Sequence, residues 1–502
     1  MCPPEKFDLV IRGGTCVLPG EVTQTDLGIV GDRILQIGPE LAEGAARVLE
    51  ARGRLVIPGF VNAHSHSYGE LARHEGAGLP LEPWMNHALA ATVNRSPEEI
   101  YVSSAIHAIE ALRTGTTTIV DHIGGRVDTL SSAAHAYKDI GIRSRIAPMI
   151  ADLRLPETVG IDDAAWPLDA GAGDPAFDVM SAPDLLAATL ELRDAVADGT
   201  ECDVILGPSA PQRVSEEMFE AIAELHSATQ MPVHIHLLET RLQAALPAPG
   251  GQGWVRFLDR LNILNASLSV AHGVWLDRDE IELLAERSVT IVHNPQSNLQ
   301  IGSGIGDLTC WRRAGVNIAL GTDSVNCGGS MDMISSMRLA ALLHRPGNLD
   351  NDTWETPRSV LALATAGGAR ALGIPAGEIK VGALADLALF EMAGTVWASD
   401  EDPISTLVLS AYDHRAESVV VGGRVVVENH HLHGVDEEDL LAAVAPSRHR
   451  LHDRNSHLRD LAVRQRRPLT AAAAGAPLPR PLLPLHPSQD GTSSRTPSDR
   501  ST

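Results

Sequence analysis

The stretch Pro58-Gly59-Phe60-Val61-Asn62-Ala63-His64-Ser65-His66 joins an apolar run to two histidines that are two residues apart. Side chains at positions i and i+2 of a strand point to the same face, so the two imidazoles lie side by side. At the C-terminal end of a barrel strand, both rings would enter the mouth of an active site. The pair alone is weak evidence for a metal ion, because the chain contains 21 histidines, and other parts of the sequence have to supply further ligands.

Eight apolar runs, each nearly continuous in Val, Ile, Leu and Ala, alternate with amphipathic stretches. The runs are 55–66, 116–122, 143–150, 203–210, 231–239, 267–273, 289–295 and 317–324. Continuous apolar runs are typical of strands that are covered on both faces. The stretches between them, such as 97–114, have apolar residues at helical spacing. This alternation predicts an α/β fold, a (β/α)8 TIM barrel.

Both ends of the chain contain shorter strand-like pieces separated by glycines. They lie within 7–56 and again at 385–390 and 418–428, where the turn Val421-Gly422-Gly423-Arg424 indicates a hairpin. These pieces predict a small β-sandwich domain formed from both chain ends. The expected boundaries are 1–56 and 371–444 for the two parts of the sandwich, and 57–370 for the barrel.

The composition changes from residue 445 onward. The segment is rich in Arg, contains the alanine run 471–474 and ends in a Pro/Ser/Thr-rich stretch over 477–502. A segment poor in core-forming residues cannot offset the entropy that ordering costs. The sequence therefore predicts one helix near 437–444 and a disordered tail over 445–502. Removal of the residues after about 450 is expected to leave folding and activity largely intact.

Bulk composition restricts partners and compartment. The 502-residue chain has 40 basic and 64 acidic residues, a formal charge of −24, which argues against nucleic acid and anionic membranes as partners. No apolar run reaches the roughly 18 residues of a membrane span, and the N-terminus lacks a secretory signal pattern. Five cysteines without Cys-x-x-Cys spacing argue against disulfides and thiolate zinc. We expect a cytoplasmic protein that acts on a small molecule; homo-oligomer formation is left open.

Three later runs end in residues that can hold a metal ion or move protons. The fifth run contains His236 and Glu239, the sixth ends near His272, and the eighth ends near Asp323. An imidazole and a carboxylate would complete a metal site begun by the first histidine pair. Glu239, on the turn after its strand, can act on metal-activated water as a general acid or base. We expect His234 to be a buried core histidine.

These strings together resemble the amidohydrolase superfamily, in the branch that contains S-adenosylhomocysteine, guanine and cytosine deaminases and the triazine hydrolases. The likeness covers roughly residues 5–430 and includes Gly-Thr-Thr-Thr at 115–118, His-Asn-Pro-Gln-Ser-Asn at 293–298 and Met-Arg-Leu-Ala at 337–340. The resemblance implies the following roles: His64, His66, His236 and Asp323 as metal ligands, Glu239 as proton shuttle, and His272 as the group that positions the attacking hydroxide or the leaving amine.

The placement of lysine bears on the number of metal ions. Binuclear members of this superfamily bridge two ions with a carboxylated lysine on the fourth strand, but lysine occurs here only at positions 6, 138 and 380. The resemblance therefore implies one divalent ion, Zn²⁺ first, with Fe²⁺ and Mn²⁺ as alternatives.

Three residues are candidate substrate contacts: Trp84, His122 and Gln212. Many S-adenosylhomocysteine deaminases carry a histidine after the Gly-Pro of the fourth strand, whereas Ser209 follows Gly207-Pro208 here, and 91–96 offers no ribose-contacting glutamate. These departures argue against an adenosyl substrate.

The residues favour an enzyme that hydrolyses carbon–nitrogen bonds other than peptide bonds. A metal-activated hydroxide would attack an amino-substituted heterocycle, namely a purine, pterin, pyrimidine or triazine, and release ammonia. The alternative is hydrolysis of a non-ring amide, amidine or carbon–halogen bond by the same site. A third possibility is a non-catalytic descendant. The presence of all the predicted metal-ligating and proton-transferring residues argues against it.

Overall fold

The computed structural model describes residues 7–162, 165–167, 182–196, 201–346, 349–398, 401–412 and 415–477. Within them, the strands form two parallel sheets and one larger, mostly antiparallel sheet. No helix in these ranges is long and apolar enough to cross a membrane.

Nineteen strands and eighteen α-helices lie in the described residues. The strands are β1 (Leu9–Leu18), β2 (Glu21–Val30), β3 (Arg33–Gly38), β4 (Arg47–Glu50), β5 (Arg54–Pro58), β6 (Phe60–His66), β7 (Thr116–Ile123), β8 (Arg143–Ile150), β9 (Cys202–Val204), β10 (Gly207–Pro208), β11 (Val233–Leu237), β12 (Leu268–His272), β13 (Thr290–His293), β14 (Asn317–Leu320), β15 (Asp323–Ser324), β16 (Leu387–Glu391), β17 (Ser418–Val421), β18 (Arg424–Glu428) and β19 (His431–Leu432). The helices are α1 (Leu81–Thr92), α2 (Pro97–Arg113), α3 (Ser131–Ile140), α4 (Leu155–Thr158), α5 (Ala182–Val196), α6 (Glu216–Thr229), α7 (Arg241–Ala245), α8 (Trp254–Arg260), α9 (Arg278–Glu286), α10 (Pro295–Gln300), α11 (Leu308–Ala314), α12 (Val325–Gly328), α13 (Met333–Leu342), α14 (Pro357–Ala362), α15 (Gly368–Ala371), α16 (Pro403–Ser405), α17 (Glu437–Arg454) and α18 (Ser456–Gly475).

The two parallel sheets adjoin at both of their edges. One has the order β10-β8-β7-β6-β15, with β9 also paired to β8, and the other has the order β11-β12-β13-β14. A parallel bridge between Leu206 and Val233 joins them on one side. On the other side, β14 leads directly into β15, where Asp323 pairs with Ser65 of β6. The protein therefore has an α/β fold with parallel sheets, whose C-terminal strand ends face one common rim.

The first apolar run, expected as one strand, is two strands in two different sheets. β5 pairs antiparallel with β16, whereas β6 pairs in parallel with β7. The chain changes sheet at Gly59, where a Cβ atom would come within 2.2 Å of the Thr117 side chain. Only glycine allows that close approach. The prediction of a continuous strand over 55–66 was wrong because apolarity does not reveal which sheet a strand joins.

The larger sheet combines strands from both ends of the chain. Its order is β19-β18-β17-β16-β5-β1-β2-β3, with β4 on β1. A buried ion pair connects it to the parallel strands: Arg143 on β8 donates to Asp386 through Nε at 3.1 Å and through Nη2 at 3.2 Å. The Asp386 carboxylate also accepts from the backbone N–H of Gly422 at 2.7 Å. The two-pronged geometry makes this carboxylate a rigid link between sheets.

Helices α17 and α18 overturn the expected disorder from residue 445. Leu458, Leu461 and Leu469 recur at helical spacing and are buried, mainly against α1 and α7. Two arginines of this segment pair with α2, because Arg454 donates to Glu99 at 2.7 Å and Arg450 donates to Glu98 at 2.9 Å. Buried apolar area therefore offsets the ordering entropy up to residue 477, and the remainder, 478–502, lies outside the described residues.

The Arg143–Asp386 pair gives a stability prediction. Arg143→Leu would leave the Asp386 carboxylate buried without its counter-charge, which should cost about 3 kcal/mol of unfolding free energy. Arg424→Ala is the control, because its side chain is 60% exposed beside Glu201 and surface pairs contribute at most about 1 kcal/mol. Urea denaturation followed by tryptophan fluorescence measures both. Equal losses of unfolding free energy in the two variants would show that the buried pair stabilises the protein no more than a surface pair does.

Candidate metal centre and active site

Five side chains from four strands converge at the rim of the parallel sheets. The Asp323 Oδ1 atom is 3.2 Å from His66 Nε2 and 3.6 Å from His64 Nε2. The Nε2 atoms of His236 and His66 are 3.3 Å apart, and His272 Nε2 is 3.8 Å from Asp323 Oδ2. Six rim residues were predicted, and the five other than Glu239 are thus brought together in this cluster.

Backbone carbonyls fix which nitrogen of two of these imidazoles carries the proton. The Nδ1–H of His66 donates to the carbonyl oxygen of His122, and that of His236 donates to the carbonyl oxygen of Ser209 at 2.5 Å. In a neutral ring the other nitrogen, Nε2, is then an unprotonated acceptor. Partners of this kind are typical of metal-ligating histidines.

A buried chain of hydrogen bonds orients the ring of His64. Its Nδ1 is 2.7 Å from Nε2 of His234, whose Nδ1 is 2.7 Å from the Ser269 hydroxyl. His234 is therefore the buried core histidine that we expected, but it also orients His64. That orientation leaves Nε2 of His64 buried without a hydrogen-bond partner.

Burial disfavours the protonation of two imidazoles in this cluster. Burial lowers the pKa of His64 to about 3, although its contact with Asp323 acts in the opposite direction. Burial, followed by the neighbouring histidines, lowers the pKa of His236 well below its usual value. The Nε2 atoms of His66 and His236 face one another and an Asp323 carboxylate oxygen, an arrangement that a cation between them would satisfy. Three imidazole nitrogens and one carboxylate oxygen are a donor set that fits Zn²⁺.

Asp323 and Glu239 have opposite protonation tendencies. Burial alone would raise the pKa of Asp323, but its contacts with His64 and His66 outweigh this and hold the pKa well below its ordinary value. Asp323 Oδ2 also accepts from the Ser297 hydroxyl at 2.6 Å. Burial, reinforced by Asp323, raises the pKa of Glu239 well above its ordinary value. One carboxylate thus stays charged while the other can hold a proton.

Glu239 is held on the turn between β11 and α7. Its backbone N–H donates to Gln243 Oε1 at 2.8 Å, and its Oε1 accepts from the Ser303 hydroxyl at 3.3 Å. The same oxygen is 3.7 Å from His272 Nδ1. The carboxylate is therefore beside the imidazole cluster and reaches the substrate cavity.

His272 and Asp323 adopt a backbone conformation that is rare outside glycine. Their φ angles are +75° and +61°, and that of Leu238, next to Glu239, is +46°. Left-handed backbone at non-glycine residues is strained and clusters at functional sites. Nothing in the sequence signals this strain, because neither position is a glycine. His272 Nδ1 is held by the Asn298 side-chain oxygen at 2.8 Å.

A cavity opens onto His66, His236, His272, Asp323 and Glu239. Of the predicted substrate contacts, Trp84 and Gln212 line it. His122 does not; its Nε2 donates to the Gly207 carbonyl at 3.0 Å and its ring stacks on His236. Sequence reasoning missed the other lining residues, among them Tyr68, Glu82, Met149 and Arg213. Glu82, Tyr68 and Arg213 could have been noticed, since each lies within two residues of a residue that was selected.

The match to the amidohydrolase family covers residues 55–426. The chain belongs to the amidohydrolase family. The resemblance inferred from the sequence is confirmed. A 5-methylthioadenosine/S-adenosylhomocysteine deaminase of Thermococcus sibiricus is 33% identical to this amidohydrolase, over 81% of this chain and 90% of that protein. A 5′-deoxyadenosine deaminase of Methanosphaera stadtmanae is 29% identical, over 85% and 95%.

Solved structures resemble this amidohydrolase over nearly its whole described length. An adenosine deaminase of Xanthomonas campestris with bound zinc superposes with a TM-score of 0.78 and 29% identity, over 90% of this chain and 100% of that chain. Atrazine chlorohydrolase of Arthrobacter aurescens in complex with zinc gives a TM-score of 0.79 and 25% identity, over 88% and 100%. Both neighbours are zinc proteins, which agrees with the donor set found here.

The Ser297–Asp323 contact generates a prediction on metal affinity. Ser297→Ala removes the hydroxyl that orients Asp323 Oδ2, so zinc affinity should fall by about tenfold or more. Ser336→Ala is the matched control, because that buried hydroxyl donates to the Gly321 carbonyl and not to a metal donor. Competition with a fluorescent zinc chelator measures both. Unchanged affinity in the Ser297 variant would mean that Asp323 needs no such support.

Proposed function

We propose that this amidohydrolase hydrolytically deaminates an amino-substituted heterocycle, with adenosine-type nucleosides as the first candidates. The observation that carries the proposal is the set of imidazole Nε2 atoms facing Asp323, with the carboxyl of Glu239 beside it. The relatives described above act, by name, on 5-methylthioadenosine, S-adenosylhomocysteine and 5′-deoxyadenosine. They outweigh the sequence-based argument against an adenosyl substrate, which rested on the absence of single contacts.

The proposal includes the architecture that holds the site. We propose that the adjoining parallel sheets form a closed (β/α)8 barrel over about 57–370, supported by the Leu206–Val233 bridge and the pairing of β15 with β6. The strands of 1–56 and 371–444 would form the β-sandwich. Parallel barrels place their catalytic residues at the C-terminal strand ends, which is where the five side chains lie.

His64, His66, His236 and Asp323 would hold a single ion, with zinc the first candidate. Zinc in both neighbouring structures supports this, as does the placement of the lysines. Lys138 and Lys380 are exposed, so neither can bridge a second buried ion, and Lys6 lies outside the described residues. When bound, such an ion lowers the pKa of water toward neutrality and polarises the carbon under attack.

The protein side chains then transfer protons while the amino group on one carbon atom is replaced by oxygen. Glu239 accepts one proton from water as the new carbon–oxygen bond forms, and returns it to the exocyclic nitrogen as the carbon–nitrogen bond breaks and ammonia leaves. The second water proton passes to the adjacent ring nitrogen as the carbonyl group forms. His272, fixed through Nδ1 by Asn298, directs Nε2 at the reacting atoms. Trp84 and Gln212 would contact the substrate ring.

A second candidate is hydrolysis of a non-ring amide, amidine or carbon–halogen bond. The resemblance to atrazine chlorohydrolase favours it, because the same activated water can displace chloride from a triazine carbon. The leaving group distinguishes the two candidates, since one reaction releases ammonia and the other a halide.

A substrate panel tests the proposed function directly. Protein loaded with one equivalent of zinc should release ammonia from at least one of adenosine, 5′-deoxyadenosine and 5′-methylthioadenosine, and chelation should abolish this until zinc is restored. Guanine, pterin, cytosine, aminotriazine and chlorotriazine complete the panel. Chloride release without ammonia release would favour the second candidate, and metal analysis giving two tightly held ions per chain would contradict the single site.

Glu239→Gln separates proton transfer from metal binding. The carboxylate lies outside the donor set, so the variant should keep its zinc while turnover falls by about 10²- to 10⁴-fold. Asp323→Asn should instead lose zinc, because a neutral amide is a poorer ligand for a cation. Metal analysis and kcat are measured on both. Loss of zinc in the Glu239 variant, or retention of most turnover, would assign the proton transfer to another residue.

A further inference from the structure

The catalytic cavity is too small to hold a nucleoside alone. Its volume is about 70 Å³, whereas small-molecule sites usually have about 300 Å³ or more. A second cavity of about 300 Å³ shares Leu81, Glu82 and Leu242 with it. The two spaces are therefore adjacent, and these three side chains lie between them.

Helix α18 forms one wall of this second cavity. Thr470, Ala473 and Ala474 line it on one side, and Trp275 and Ser303 line it on another. The match to the amidohydrolase family ends at residue 426, so this wall comes from beyond the matched region. The second cavity is thus built partly by a segment to which the family match gives no role.

Specific contacts fix α18 in this position. The Arg241 guanidinium donates to the carbonyl oxygens of Ala473 at 3.1 Å and of Ala474 at 3.0 Å. Asn86 donates to Gln465 Oε1 at 2.9 Å, and Gln465 is buried. Because Arg241 begins α7 and Asn86 lies on α1, the helix is attached to both segments that carry the separating side chains.

We propose that this second cavity is the outer compartment of the substrate site, with α18 as its wall, and that it receives the substituent most remote from the amino-bearing ring. The inference rests on the proposed deaminase function. The lining favours a compact, uncharged or cationic, hydroxyl- or thioether-bearing group, because Trp275 offers an apolar face and Glu82 and Thr240 offer polar atoms joined at 2.6 Å. The buried Glu82 carboxyl disfavours a phosphate there.

Filling the compartment tests the proposal on two substrates that differ only in their methylthio group. Ala473→Trp should lower kcat/KM for 5′-methylthioadenosine by about tenfold or more relative to 5′-deoxyadenosine, with zinc content unchanged. Ala473→Leu, a smaller change, should shift the same ratio less. Val463→Trp is the matched control, because Val463 is on α18 but 61% exposed. Adenosine 5′-monophosphate should be a poor substrate for every variant.

The results of these experiments distinguish failure of the outer compartment from failure of the proposed function. A parallel loss for both nucleosides, or an unchanged ratio in both Ala473 variants, would overturn the outer compartment. Binding is measured in addition by calorimetry on zinc-loaded Glu239→Gln protein, where no turnover occurs. If the wild type deaminates no nucleoside but Ala473→Trp still selectively weakens 5′-methylthioadenosine binding, the proposed function fails and the compartment stands. If neither nucleoside binds, the compartment fails as well.

Discussion

Two backbone carbonyl groups determine which nitrogen of His66 and of His236 points into the rim, because they accept the hydrogen bonds that the two Nδ1–H groups donate. One belongs to His122 on β7 and the other to Ser209 just after β10, so each tautomer depends on the register between neighbouring parallel strands. A slip of one residue would turn the carbonyl away and reverse every side chain of the strand. The register of the sheets is therefore also the device that keeps two nitrogens unprotonated at the site.

The same environment gives two nearby carboxyl groups opposite behaviour. Asp323 is buried but faces imidazoles, whereas Glu239 is buried and faces Asp323. Burial raises the pKa of both, and the sign of the neighbouring interaction decides the outcome. An active site can thus assign one carboxylate to hold a cation and the other to carry a proton without any difference in residue chemistry.

The sequence was sufficient to predict that the rim side chains converge, because residues at the ends of parallel strands meet at one rim wherever the strands lie in the chain. It was not sufficient at Gly59, where two sheets share one apolar run, nor for the strained backbone of His272 and Asp323, which tertiary contacts impose. Disorder was wrongly predicted for α18 because composition was weighed above pattern: Leu458, Leu461 and Leu469 show helical spacing within an arginine-rich segment.

Three of the four proposed ligands, His64, His66 and Asp323, lie on β6 and β15, which are neighbours in space but nearly at opposite ends of the parallel strands in sequence. During synthesis, His64 and His66 leave the ribosome long before Asp323. Until then the histidines can offer only part of a site, open to whichever soft cation is present. The proposed metal site is therefore complete only after the strand that carries Asp323 has been synthesised and has paired with β6.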